Sequence, residues 1–154
     1  MNNNLNTLLS TNSPVKKCPV CNASGISVKR ETVYSLLGNK PINMTVNDQF
    51  ALCMTPSCEI SYYSLNSDLF YNINDITVPL WYKKDSTTRY ACYCSKVTKD
   101  NVIQAIRSHG AKSVKEVNQV TGAMKNSDCL HKNPLGECCH KIIQAIIDEE
   151  MKDI

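Results

Sequence analysis

Nine cysteines stand among 154 residues, and they fall into two groups. The first is Cys18-Pro-Val-Cys21 with Cys53-Met-Thr-Pro-Ser-Cys58. A Cys-x2-Cys knuckle turns both sulfurs toward one point, and a second pair about thirty residues later completes a tetrahedron. Gly25 after the first pair and Pro56-Ser57 inside the second supply turn formers. Four thiolates favour Zn²⁺ or a single iron, and a closed site of this kind is usually structural zinc. The alternative is four buried free thiols packing as small hydrophobes.

The second group is Cys92-Tyr-Cys94, Cys129 and the pair Cys138-Cys139. Cys-x-Cys is tight for a zinc knuckle but suits one iron of a cluster. A thiolate cluster is negative, and a helix starting at Cys139 would offer free N–H groups and the positive end of its dipole. The set therefore suits a four-cysteine [2Fe–2S] site, with a second zinc as the alternative. His131 and His140 flank the set, and Rieske centres do use histidine. With enough cysteines present, sulfur ligation is expected instead.

Compartment decides how cysteines are read. Met1 to Ser13 is polar and Asn-rich, without the basic and apolar regions of a signal peptide. No apolar run approaches the ~18 residues of a membrane span. A cytoplasmic location with reduced thiols is expected, and metal ligation follows from it. Net charge is +3 with 20% charged residues, too weak a bias for nucleic acid or an anionic membrane. Lys16-Lys17, Lys29-Arg30 and Lys83-Lys84 are scattered, and the tyrosines at 62, 63, 71, 82 and 90 are spaced for packing. No nucleophile–base pair, phosphate loop or carboxylate pair stands out, so no hydrolase or transferase is expected.

The elements that must carry these residues change texture midway. Residues 1–14 read as a disordered lead-in. Residues 15–84 read as a β-rich zinc-binding subdomain, with strands at 26–28, 50–52 and 59–63 and an edge strand at 77–82 containing Pro79. Residues 32–37 are ambiguous between helix and strand. Residues 83–89 form a polar break. Residues 90–152 read as helical. Thr98 caps a helix ending at His109, with Gly110 as its αL stop. Ser113 and Glu116 make a capping box for a second helix striped by Val114, Val117 and Val120. A third begins near Cys139 with Ile142, Ile143, Ile146, Ile147 and Met151 inward. The fold class is α+β: a small zinc-stapled β-ribbon half, then a three-helix [2Fe–2S] half, in one compact unit. Each half is small enough that a metal staple is physically useful.

Residues 92–150 resemble the [2Fe–2S]-binding domain of bacterioferritin-associated ferredoxin. The resemblance rests on Cys92-x-Cys94, Thr121-Gly122-Ala123, and a cysteine opening a helix with apolar residues at +3, +4, +7 and +8. Counted from Cys139 these are Ile142, Ile143, Ile146 and Ile147; counted from Cys138 they fall one step off. The ferredoxin pattern has Cys-x2-Cys where nine residues separate Cys129 from Cys139. The stretch 18–139 is similar to the N-terminal domain of the iron–sulfur copper chaperones. That similarity rests on both first-group pairs, Val78-Pro-Leu-Trp81-x-Lys83, Cys92-Tyr-Cys94 and Cys129-x3-Asn133-Pro134-x-Gly136-x-Cys138-Cys139.

The resemblance implies zinc on Cys18, Cys21, Cys53 and Cys58, and a [2Fe–2S] cluster on Cys92, Cys94, Cys129 and Cys139. It implies a redox or metallochaperone-like role in handling copper, with a copper-handling protein or redox partner. The only catalysis it suggests is cluster-mediated metal reduction. The Met-x-Cys-x-x-Cys loop of a metal-transfer domain is not in the sequence, so delivery of copper by this chain alone is not expected. The competing functions are an electron carrier unconnected with copper and a structural double-zinc module.

Overall fold

A computed structural model describes residues 16–39, 44, 47–86, 88–125 and 127–152; the 1–14 lead-in lies outside the described residues. The first half is an antiparallel meander of four short strands in chain order: β1 (Ile26–Val28), β2 (Phe50–Leu52), β3 (Ile60–Ser64) and β4 (Phe70–Asn72). Ala51 stands opposite Ser27 on one side and Tyr63 on the other. Between β1 and β2 comes helix α1 (Arg30–Leu36).

Strand periodicity sends alternate side chains to opposite faces. Phe50, Leu52 and Tyr62 join Val33, Leu36, Leu37 and Leu80 in one core. Ala51, Ile60 and Tyr63 join Cys18, Cys53 and Cys58 in another. The sheet is therefore covered on both faces, by α1 on one and by sulfur on the other, and every residue of β2 and β3 is buried.

The second half opens with the hairpin β5 (Tyr90–Cys92) and β6 (Val97–Thr98). Then come α2 (Lys99–His109), α3 (Val114–Thr121), the single turn α4 (Cys129–Lys132) and α5 (His140–Lys152). Thr98 and Asn101 cap α2 reciprocally, at 3.1 and 2.9 Å, and Gly110 ends it at φ 70°. The core comprises Val102, Ala105, Ile106, Val114, Val117, Ile143, Ile146 and Ile147, together with Cys92, Cys94 and Cys139.

The halves are joined by the 129–139 segment. α4 packs on α1, the Tyr62 hydroxyl donates to the Pro134 carbonyl, and Leu135 packs into the α1 core. These contacts make the α+β chain one compact unit.

Several expectations change. Of residues 32–37, 32–36 belong to helix α1, and Leu37 is extended and bridges to Ile76. Residues 77–82 form no strand: Tyr93 replaces the ladder, its hydroxyl donating to the Pro79 carbonyl and accepting from Trp81 N–H at 3.2 Å. Strand β4 was not foreseen, because its edge position leaves Phe70 and Asn72 exposed and weakens the pattern. Cys129 opens a helical turn, so the second half has four helices among the described residues. The Ser113 hydroxyl accepts from Glu116 N–H at 3.2 Å, but Glu116 reaches the Lys112 N–H at 2.8 Å instead of that of Ser113. Val120 stands in solvent. Lys83, assigned to the polar break, is buried.

Candidate metal centres

The first centre lies where two turns meet on the sulfur face of the sheet. The knuckle is closed by Cys18 N–H donating to the Ala23 carbonyl and Asn22 N–H to the Cys18 carbonyl, both at 2.9 Å. Asn22 takes φ 61°, which an asparagine accepts more readily than most residues. Gly25 is required by a close approach: a Cβ there would run into the Leu52 carbonyl and lie 2.9 Å from the Tyr63 hydroxyl. That hydroxyl accepts from Gly25 N–H at 3.0 Å and donates to the Lys16 carbonyl at 2.8 Å, tying the knuckle to β3.

The four sulfurs of Cys18, Cys21, Cys53 and Cys58 all lie within 4.8 Å of one another. Cys18 and Cys58 are 3.9 Å apart, Cys21 and Cys53 3.7 Å. A tetrahedral zinc with bonds of about 2.3 Å has sulfur–sulfur edges of about 3.8 Å. Geometry and donor set both fit zinc. The Thr55 hydroxyl, 3.2 Å from the Cys21 sulfur, holds that thiol down to about 6. Burial pushes Cys53 up to about 12 and raises Cys58.

The second centre draws on the β5–β6 turn, the segment after α3, α4 and the start of α5. Cys94 and Cys129 bring their sulfurs to 3.6 Å. Cys92 and Cys139 share a thiol hydrogen bond, which holds Cys92 down to about 5 and raises Cys139. Burial pushes Cys94 up to about 11. Cys92 and Cys94 thus each face a different cysteine from the later part of the chain. All nine cysteines are free of disulfides. Cys139 is buried, whereas Cys138 is exposed.

Backbone amides aim at this sulfur set. Met124 N–H donates to the Cys92 sulfur at 3.3 Å and Asp128 N–H to the Cys94 sulfur at 3.1 Å. The Ser127 hydroxyl lies 3.8 Å from the Cys129 sulfur. Met124 reaches this position through φ 64° after the Gly122 stop. The Ser95 hydroxyl is shielded from solvent and faces the Cys92 sulfur, which it helps to hold down. Cysteine sulfurs met by backbone amides and hydroxyls are a donor set that fits a [2Fe–2S] cluster. Neither the Asp128 and Met124 amides nor Ser95 were foreseen, since nothing in the sequence signals an amide that meets sulfur only after folding.

Two family models match, in order. A CopZ-type zinc-binding domain matches residues 15–77, and a BFD-like [2Fe–2S]-binding domain matches residues 90–149. The chain pairs a zinc-binding domain with a [2Fe–2S]-binding domain. The copper chaperone CopZ of Archaeoglobus fulgidus is 27% identical over 124 residues, 80% of this chain and 58% of that protein. The chain thus spans somewhat over half the length of that curated relative. The X-ray structure of the CopZ N-terminal domain from the same organism superposes with TM-score 0.67 at 25% identity, covering 84% of this chain and 96% of that one. The cofactors are zinc and a [2Fe–2S] cluster. No helix among the described residues is long and apolar enough to cross a membrane.

Proposed function

We propose that this chain is a redox module of copper handling. In this reading Cys18, Cys21, Cys53 and Cys58 hold zinc, and Cys92, Cys94, Cys129 and Cys139 hold the [2Fe–2S] cluster, in subdomains spanning 15–84 and 90–152. The observation that carries it is the four-sulfur group of Cys18, Cys21, Cys53 and Cys58 beside the sulfur pairs Cys94–Cys129 and Cys92–Cys139, in one folded unit that matches the copper chaperone's N-terminal domain along most of its length. The zinc set is closed by four protein sulfurs, so its role is to hold the sheet and knuckle together.

A bound [2Fe–2S] cluster supplies one electron at a time, the number that separates Cu²⁺ from Cu⁺. The chain's own groups govern that chemistry. The Met124 and Asp128 amides favour extra negative charge on sulfur, which raises the potential, and the buried walls of Val97, Val117 and Ile143 keep water away. Cys129 is the half-exposed member of the set and gives the shortest way out to a partner or to copper. The role lies in the reducing cytoplasm, beside a copper-handling or redox partner.

The test is anaerobic reduction followed by Cu²⁺ in the presence of a Cu⁺-specific chromophoric chelator. A Cys138→Ala background removes the exposed thiol, which could itself reduce copper. The expected result is about one Cu⁺ per cluster, with matching loss of the reduced cluster's paramagnetic signal. Cu⁺ formation no faster than in a Cys92→Ala control would refute the copper role and leave an electron carrier. Absence of iron after reconstitution with iron and sulfide would refute the cluster.

A further inference from the structure

Lys83 is only 2% exposed, the one lysine or arginine buried among the described residues. A buried ammonium is costly unless it is paired and hydrogen-bonded. Its Nζ donates to the carbonyls of Thr55 at 2.8 Å and Cys58 at 3.0 Å, and lies 5.3 Å from the centre of the Tyr82 ring. Carbonyls and a ring face satisfy its donors but do not neutralise it. The ion pairs among the described residues are Arg107–Glu150 and His131–Asp128, neither of which involves Lys83. Glu59 and Asp85 line the same cavity as Lys83, yet both side chains are exposed and stay beyond ion-pair distance.

Both carbonyls belong to the turn that carries Cys53 and Cys58. Four thiolates around a divalent ion leave a net charge of about −2 on that site. A buried cation with no carboxylate partner therefore sits against a buried anionic centre with no other cation assigned to it. The Tyr82 hydroxyl completes the arrangement by donating to the Cys53 carbonyl at 2.5 Å. Burial pushes the Cys53 thiol up, and the Lys83 charge opposes that push.

We propose that Lys83 is the counter-ion of the tetrathiolate zinc site, and that its charge sets how tightly zinc is held there. It is a positioning residue: it touches the ligand-bearing turn and acts through it. The proposal rests on zinc being held by Cys18, Cys21, Cys53 and Cys58. It adds a thermodynamic coupling between one lysine and the metal.

The test uses the full chain, purified anaerobically, with zinc competed away by a chromophoric chelator. Lys83→Met keeps the aliphatic stem and removes the charge. Lys83→Gln keeps an N–H donor and removes the charge. Lys83→Arg keeps the charge. The Met and Gln variants are expected to lose roughly tenfold to a hundredfold in zinc affinity, the range for groups just outside the ligand shell, while Arg retains most of it. The cluster's visible spectrum reports folding of the other half and is expected to be unchanged. The thermal midpoint of Lys83→Gln should fall more for zinc-loaded than for zinc-stripped protein.

Equal falls in the two states, or full affinity in Lys83→Gln, would show that the donors matter and the charge does not. Loss of the cluster spectrum in both neutral variants would mark Lys83 as structural and end the proposal. Cys18→Ser separates the two readings: if it still holds about one zinc per chain, the site assignment itself is wrong and the counter-ion falls with it.

Discussion

Gly136→Ala tests how the two halves are locked together. Gly136 lies between Cys129 and Cys139, in the segment that packs on α1, and has φ 71°. A Cβ there would collide with the Thr32 hydroxyl and sit 3.4 Å from Thr32 Cβ and Cγ2. Thr32 is fully buried on α1 and cannot swing away into solvent. Two costs add. A non-glycine residue in the left-handed region costs about 1–2 kcal/mol. Overpacking a filled site costs about 1–3 kcal/mol. The total is about 2–5 kcal/mol, and at roughly 2–4 °C per kcal/mol the midpoint should fall by about 10 °C.

The structure contains its own control. Gly110 has φ 70° but nothing within 4 Å of a built Cβ, so Gly110→Ala carries the backbone cost alone. Thermal unfolding by circular dichroism, at matched zinc and iron content, should place Gly136→Ala clearly below Gly110→Ala. Thr32→Ala added to Gly136→Ala should restore about 1–3 kcal/mol, the steric share, and leave the backbone share. The cluster spectrum of Gly136→Ala should also weaken, because the strained segment carries two of the proposed ligands. If Gly136→Ala melts no lower than Gly110→Ala, or Thr32→Ala gives no recovery, the locking contact is not what the geometry says.

Three further outcomes are expected. Cys92→Ala should lose the visible spectrum and keep about one zinc per chain by elemental analysis; loss of zinc with retention of iron would mean the two sites are exchanged. Cys139→Ala should abolish the cluster spectrum and Cys138→Ala leave it intact, since Cys139 is buried against Cys92 and Cys138 is exposed; an intact spectrum in Cys139→Ala would overturn the ligand choice. Burial raises Tyr62, Tyr82 and Tyr93 above the ordinary phenol value of 10.0, so their contribution to stability is complete below pH 10 and lost as pH rises beyond it. Alkaline titration should therefore show these tyrosines ionising together with loss of ellipticity, and independent early ionisation would refute their burial.

Much of the fold was legible because local rules agree with the final structure. Thr98 with Gly110, and Ser113 with Gly122, bracket α2 and α3 by satisfying orphan backbone groups within one turn. The β2 triplet and the isoleucines of α5 follow periodicity alone. Residues 77–82 misread because the partner of that segment is Tyr93, a side chain from beyond the polar break. Lys83 misread for the same reason: a lysine beside a charged stretch signals solvent until the chain brings the Cys53–Cys58 turn over it.

The cysteine spacing by itself separated the cysteines into two groups, because a short knuckle limits where its sulfurs can point. It also placed the odd cysteine within the Cys138–Cys139 pair. Tertiary structure decided the rest. It paired Cys94 with Cys129, set Cys139 beside Cys92, turned Cys138 to solvent and aimed the Met124 and Asp128 amides at sulfur. Those outcomes depend on contacts across thirty or more residues. Spacing along a chain bounds how far apart groups can be, but only packing selects which of them meet.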